Sequence, residues 1–253
     1  MAALSWWDVI LLALAGIGGG LAGSIAGLAS VSTYPALLLV GLPPVTANVT
    51  NTVALVFNGV GSVSGSLPEL EGQGARLKKV VPTALAGGAA GAVLLLSIPS
   101  EGFERAVPVL LAGAAIVIAL PRRRTVRTGP RSTGRTVLLG ATILTICVYG
   151  GFFGAAAGVL LLALFLAMGS ESLARANATK NVVLGTANGA AALVFLVFGP
   201  VSWAAVVPLG IGCLIGSRLG PVVVRRAPAT PLRLLIAMAG LALAVKLGFD
   251  AYR

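Results

Sequence analysis

The sequence predicts an all-α, polytopic membrane protein, and three observations predict it. Of its 253 residues, 57% are hydrophobic and 10% charged, with a mean hydropathy of +1.01; a soluble domain carries about a quarter charged residues. The charges are bunched. Residues 9–68, 136–170 and 181–217 contain none, and a membrane-crossing helix needs only about 20 mostly apolar residues. The apolar runs are continuous rather than alternating, which argues against a β-barrel. The same composition excludes a soluble enzyme.

About eight hydrophobic segments follow along the chain, at 6–41, 46–67, 80–99, 106–120, 136–169, 176–199, 202–222 and 232–248. The longest polar stretches are Pro68–Lys79 and Pro121–Arg135, which leaves no room for a soluble domain. The chain reads as a first transmembrane repeat (1–120), a basic cytoplasmic linker (121–135) and a second transmembrane repeat (136–253). Gly20, Gly23 and Gly27 share their spacing with Gly151, Gly154 and Gly158. Val80-Val81-Pro82 and Val206-Val207-Pro208 each open a later Gly-rich segment. The sharpest echo is asparagine: the chain has six, Asn48, Asn51, Asn58 and then Asn177, Asn181, Asn188. At helical periodicity each trio falls on one face.

Segments 6–41 and 136–169 do not fit one crossing. About 35 helical residues span about 50 Å, against an apolar core of about 30 Å. Each is read either as one tilted helix with a surface stretch, or as a broken or re-entrant pair of helices, which brings the total to ten. Gly-interrupted segments at matching positions of two halves point to a transporter's binding site. Charge bias favours the broken form. With five crossings per half, Arg76, Lys78, Lys79, the six arginines between Pro121 and Arg135, and Arg225-Arg226 all face the cytoplasm, as Lys and Arg do. The Glu101–Glu104 loop then faces out. An odd number of crossings per half makes the repeats inverted. The expected location is a prokaryotic plasma membrane, crossed many times. The N-terminus has no basic region, and Asp8 precedes the apolar stretch, so no cleaved signal peptide is expected.

The net charge of +11 belongs to cytoplasmic loops on this reading, and no nucleic-acid partner is expected, for want of a soluble module to hold one. Cys147 and Cys213 sit alone in apolar runs and read as packing. The chain has no His, which removes Ser-His and Cys-His catalysis and most metal chemistry. No metal or other cofactor is expected.

Three features could carry chemistry. Asn is costly in lipid, so each Asn face should meet protein or a polar cavity. Interhelical hydrogen bonding is the bland use of such residues; two equivalent trios point instead to a shared cavity, where amide N–H groups donate to an anion. Lys180 lies in ARANATKNVVLGTANG with no acidic residue in the apolar runs to pair with it. It either meets an anionic substrate or lies near a helix start and snorkels to the interface. The third feature is helix starts, which bind anions through free N–H groups. GLPPVTANVTN offers Thr46 as an N-cap, and GSESLARANATKN offers Ser170 or Ser172. The bland reading of these starts is an ordinary surface turn. Most of the 34 glycines read as helix packing, and Arg218 as interfacial.

At GSIAGLASVSTYPALLLVGLPPVTANVTN and VYGGFFGAAAGVLLLALFLAMGSESLARANATKN, the chain resembles the sulfite exporter TauE/SafE family, nearest its YfcA-like branch. The resemblance extends through IGSRLGPVVVRR to LALAVKLGF. It implies two related halves of helices that move sulfur-containing anions such as sulfite, sulfoacetate and other organosulfonates. It places the family's Thr-Asn pair on Thr50 and Asn51, and its second-half Thr/Lys region on Thr179, Lys180 and Asn181. Two departures stand out. Ala29 and Ser30 replace glycines before the first Pro. Gly23 and Gly150 stand where relatives often carry Asp, so carboxylate-based coupling is in question.

The expected function is a transporter, in the exporting direction, of small sulfur-containing anions by alternating access around a midplane site. Thr50 and Asn51 would face Thr179, Lys180 and Asn181, with Asn58 and Asn188 deeper and Asn48 and Asn177 on the same faces. The expected partners are the small anion, the lipid bilayer and a second copy in a homodimer. The alternatives are a non-transporting scaffold subunit with a dry Asn interior, and an anion channel or uptake permease. An intramembrane enzyme needs a Ser-His or Asp-Asp pair that the spans lack.

Overall fold

The computed structural model describes residues 4–103, 133–168 and 172–226, with 109 and 245 alone. The predicted segments 106–120 and 232–248, and most of the basic linker, lie outside the described residues. Among those described, all regular structure is helical.

Helix α1, Trp6–Ala26, starts at a capping box in which Ser5 and Asp8 satisfy each other's backbone N–H. It ends at Gly27, whose φ of 78° is left-handed. Helix α2, Ala29–Leu39, is a half-length helix of 11 residues. Gly19 abuts Thr33, and Gly23 abuts Ala29, so α2 folds back along α1. Helix α3, Pro44–Gly65, follows. Its N-cap is Pro43 with no side-chain bond. The expected cap Thr46 lies inside the helix, because the Pro pair already fixes the start. A short turn α4, Leu67–Leu70, leads to α5, Gly74–Ser97.

The second half repeats this order. Helix α6, Thr133–Phe152, breaks at Gly154, whose φ is 77°. Helix α7, Ala157–Ala167, again has 11 residues. Helix α8, Leu173–Phe198, is capped by Ser172, which accepts from the Arg175 N–H; Ser170 lies outside the described residues. Helix α9, Trp203–Arg226, contains Pro208 and Pro221. Both long Gly-rich segments are therefore broken, each into one longer helix and one half-helix of 11 residues. The breaks equate Gly27 with Gly154, one turn away from the Gly27–Gly158 match that spacing alone suggests. Gly158 instead packs directly on Gly27.

Glycine contacts fix the helix directions. Gly16 meets Gly212 and Cys213, and Gly20 meets Cys213 and Ser217, so α1 and α9 run parallel. Gly210 meets Phe57 and Gly61 meets Leu214, so α3 is parallel to both. Gly87 meets Leu144 and Cys147, and Gly91 meets Val148 and Phe152, so α5 and α6 run together. Gly88 packs on Ala187, and Gln73 bonds the Arg175 carbonyl, which aligns α8 with them. Across the middle, α3 and α8 are antiparallel: the Ser202 N–H donates to Thr50 at one end, and Asn181 donates to Ser66 at the other. Between these points the two backbones touch, with Gly185 Cα 3.0 Å from where a Gly59 Cβ would stand. Small residues permit such approaches in a bilayer. The result is two antiparallel sets, α1/α3/α9 and α5/α6/α8. Helix α9 of the second half packs in the first set, and α5 of the first half packs in the second.

Helices α1, α5, α8 and Trp203–Val224 are each long and apolar enough to cross a membrane. Helix α3 has 22 residues, about 33 Å at 1.5 Å per residue, but its hydropathy is lowered by three Asn, three Thr and two Ser. Six of those side chains face protein: Asn48, Thr50, Asn51, Thr52, Asn58 and Ser62 are buried, whereas Ser64 is exposed. The lipid side carries residues such as Leu14, Val60, Leu193, Val197 and Ile215, all exposed.

Candidate functional site

The two breaks meet in the middle of the molecule. The first half-helix, α2, begins at Ala29 and Ser30; the second, α7, begins beyond Gly154. A helix start leaves its first N–H groups without intrahelical partners and carries a positive dipole end. Between these starts lies a small cavity lined by Gly27, Ala29 and Ser30, by Thr52, Leu55 and Asn58 of α3, by Gly150, Phe153 and Gly154, and by Leu184 and Asn188 of α8. Its volume of about 10 Å³ admits about one water. An oxyanion of four or more heavy atoms does not fit in this conformation.

The walls are held tightly. Tyr149 donates to the Ala155 carbonyl at 2.6 Å, stapling the second break. Tyr34 of α2 packs edge-on against Phe153 with ring centroids 5.4 Å apart. Ala156 adopts a left-handed φ of 64° beside Gly154. A non-glycine residue there costs about 1–2 kcal/mol, a strain of the kind that collects at functional sites.

The asparagines divide sharply. Asn48 donates to the Phe152 carbonyl at 2.8 Å, at the end of α6, and Asn177 donates to the Ser24 carbonyl at 2.9 Å, near the end of α1. Each half thus caps the broken helix of the other. Asn51 accepts from Thr33 and donates to Ser30, which fixes Ser30 at the cavity. Asn181 reaches Ser66 at 3.4 Å. Asn58 and Asn188 alone among the six line the cavity. Asn58 Oδ1 is buried with no hydrogen-bond partner.

The remaining sequence-predicted residues are buried but do not line the cavity. Lys180 is fully buried, and its Nζ donates to the Gly23 and Ser24 carbonyls at 2.9 and 3.2 Å. It is not at an interface, and carbonyls of the last turn of α1 receive its charge. Thr50 accepts from the Ser202 N–H at 3.0 Å. Thr179 bonds Gln73 Oε1 at 2.6 Å. Gln73 in turn donates to the Glu69 and Arg175 carbonyls. These two threonines act as latches at opposite ends: Thr50 ties α3 to the connection between α8 and α9, and Thr179 ties α8 to the residue before α5. Ser30 and Thr52 are cavity residues that the sequence reading did not propose. Their signal was present: each lies a few residues from a left-handed glycine or an asparagine already singled out.

The family model described as sulfite exporter TauE/SafE matches residues 12–247. The chain belongs to the TauE/SafE family. It is similar to the probable membrane transporter protein ORF9 of Sinorhizobium sp., at 31% identity over 236 residues, covering 91% of this chain and 88% of that one. It is also similar to the probable membrane transporter protein YfcA of Escherichia coli K12, at 28% identity over 240 residues, covering 92% and 87%. A probable membrane transporter protein of Haemophilus influenzae is 26% identical over 234 residues, covering 90% and 89%.

This TauE/SafE chain is accordingly a multi-pass membrane transporter, not an enzyme, and its bacterial relatives place it in the inner membrane. Of the two positions where the family resemblance implies a carboxylate, one lines the cavity and the other lies against a residue that does. Gly150 lines it, and a Cβ on Gly23 would stand 3.1 Å from Asn58 Oδ1. In this chain neither position carries charge.

Proposed function

We propose that the protein carries small sulfur-containing oxyanions, such as sulfite or an organosulfonate, by alternating access around the cavity between the two broken helices. One observation carries this reading: Asn58 from the first half and Asn188 from the second face a single buried cavity, between half-helix starts that supply further N–H donors. The four other asparagines are committed to protein. The family description names sulfite export, and an oxyanion is what such a donor set would bind. Opposite helix directions in the two halves support inverted repeats. The pair α3–α8 crosses at Gly59 and Gly185 and is tied at both ends; rocking about that crossing would open one end while the other stays tied. Closure at both ends favours a carrier over an open channel.

Sulfite uptake into proteoliposomes tests the site. Asn58→Leu together with Asn188→Leu removes both cavity amides and should abolish uptake, whereas Asn181→Leu, outside the cavity, should leave more than about a tenth of it, since one lost neutral hydrogen bond is worth about 1 kcal/mol. Undiminished uptake by the double variant rejects this cavity as the substrate site.

A further inference from the structure

Resting on that reading, we propose that Ser30 is a substrate-binding residue: its hydroxyl donates to the oxyanion, and Asn51, behind the cavity wall, sets it in that direction. Four polar side chains line the cavity, those of Ser30, Thr52, Asn58 and Asn188. The hydroxyls of the first two are fixed in opposite senses.

A hydroxyl has one proton to donate and two lone pairs that accept. Thr52 donates its proton within its own helix, to the Asn48 carbonyl at 3.0 Å. Toward the cavity it offers lone pairs, which an anion does not need. Ser30 is the reverse. Its Oγ accepts from Asn51 Nδ2 at 3.2 Å, and among the described residues no group accepts its proton. Ser30 is 4% exposed, so the open space beside it is the cavity. Its Oγ reaches toward the second break, 3.6 Å from where a Cβ on Gly154 would stand.

An amide can meet a hydroxyl with either end, and Thr33 decides which end Ser30 meets. The Thr33 hydroxyl donates to Asn51 Oδ1 at 2.6 Å, which leaves Nδ2 for Ser30. Thr33 and Asn51 are both buried, so water does not compete for these bonds. Donation therefore runs one way, from Thr33 through Asn51 to Ser30 and on into the cavity, and each bond polarises the next. Ser30 also lies in the first turn of α2, whose N-cap Leu28 makes no side-chain bond. No cap side chain claims the N–H groups of that turn, so hydroxyl and backbone donate from one place.

The second break has no such device. It lines the cavity with Gly150, Phe153 and Gly154, and the N-cap of α7 is Ala156. Asn181, which answers to Asn51 in the second trio, turns away to Ser66. The oriented hydroxyl comes from the first half alone, and the second half contributes the Asn188 amide.

The KM for sulfite uptake into proteoliposomes holding the full chain tests this, because KM does not depend on how much of the protein is folded. Ser30→Ala should raise KM about tenfold, the usual loss for one hydrogen bond to a charged group. Asn51→Ala should raise it too, and combining the two should raise it no further than Ser30→Ala alone, since Asn51 acts through that hydroxyl. Thr52→Val should raise KM less than Ser30→Ala does. Ser30→Cys keeps the volume with a weaker donor and should give a smaller rise; it decides if Ser30→Ala does not fold. Unchanged KM in the Ser30 variants, beside lost uptake when Asn58 and Asn188 are both replaced by Leu, overturns this inference and leaves the transport site standing. Additive effects of Ser30→Ala and Asn51→Ala overturn the positioning role of Asn51. Undiminished uptake with both cavity asparagines replaced overturns the site itself and this inference with it.

Discussion

An asparagine in a bilayer needs partners for its amide, and the six in this chain fall into two groups, although the Oδ1 atoms of Asn48, Asn58 and Asn177 are buried without a partner. Asn48, Asn51, Asn177 and Asn181 bond other helices. Asn58 and Asn188 turn to the cavity. Sequence spacing put each trio on one face but could not tell these uses apart, because the distinction depends on which helix lies opposite. Glycine behaves likewise. Gly18 has open space around a substituted Cβ, whereas Gly27 combines a φ of 78° with a Cβ position that overlaps Gly158. Gly27→Ala should therefore destabilise the chain by about 2–5 kcal/mol, from left-handed strain plus overpacking. Gly18→Ala should stabilise it by up to about 1 kcal/mol through helix propensity. Thermal unfolding in detergent should separate the two midpoints widely, and coincident midpoints would contradict the close approach of the two breaks.

Helices show a different limit of legibility. The excess length of segments 6–41 and 136–169 was readable, and so was a glycine break in each. The helix starts that converge were not those first proposed. Pro43 and Ser172 do start α3 and α8, but at outer ends; the inner starts are those of α2 and α7, which no Ser, Thr, Asp or Asn cap announces. A left-handed glycine with a short apolar helix after it is the weaker signal that was available. Lys180 acts at this scale too. Its ammonium caps the end of α1 from α8, as the neutral amide of Asn48 caps α6. Lys180→Met keeps the volume and removes the charge. Loss of a buried hydrogen-bond donor should cost about 1–3 kcal/mol of stability. Methanesulfonate binding should also weaken by at least about tenfold, equivalent to about 1.4 kcal/mol. Reduced stability with unchanged affinity would confine Lys180 to holding α1.

Over the whole molecule, the all-helical membrane architecture was legible from composition and apolar runs, but the packing of α5 with α6 and α8, and of α9 with α1 and α3, was not. It rests on matched small-residue stripes, Gly16 and Gly20 on α1 against Gly212 and Gly216 on α9, and a stripe does not name its partner. This packing binds α5 to α6 and α8, and α9 to α1 and α3, and the helix directions it fixes distribute the charges. Arg76, Lys78, Lys79, Arg175, Arg218 and the Arg225-Arg226 pair gather where α3 and α9 end and α5 and α8 begin. At the opposite end stand Asp8, Glu101 and all three tryptophans, Trp6, Trp7 and Trp203, each exposed, as aromatic anchors at a membrane surface should be. By the positive-inside rule the basic end is expected to face the cytoplasm. Lys78→Cys should react with a membrane-impermeant maleimide only after cells are opened, and Glu101→Cys should react in intact cells. Both native thiols, Cys147 and Cys213, are fully buried and should give little background. The two positions lie at opposite ends of α5, so labelling of both from one side would break the single crossing that joins them. Labelling with the sides reversed would leave the fold intact but invert it in the membrane, and would reverse the faces to which the Thr50 and Thr179 latches open.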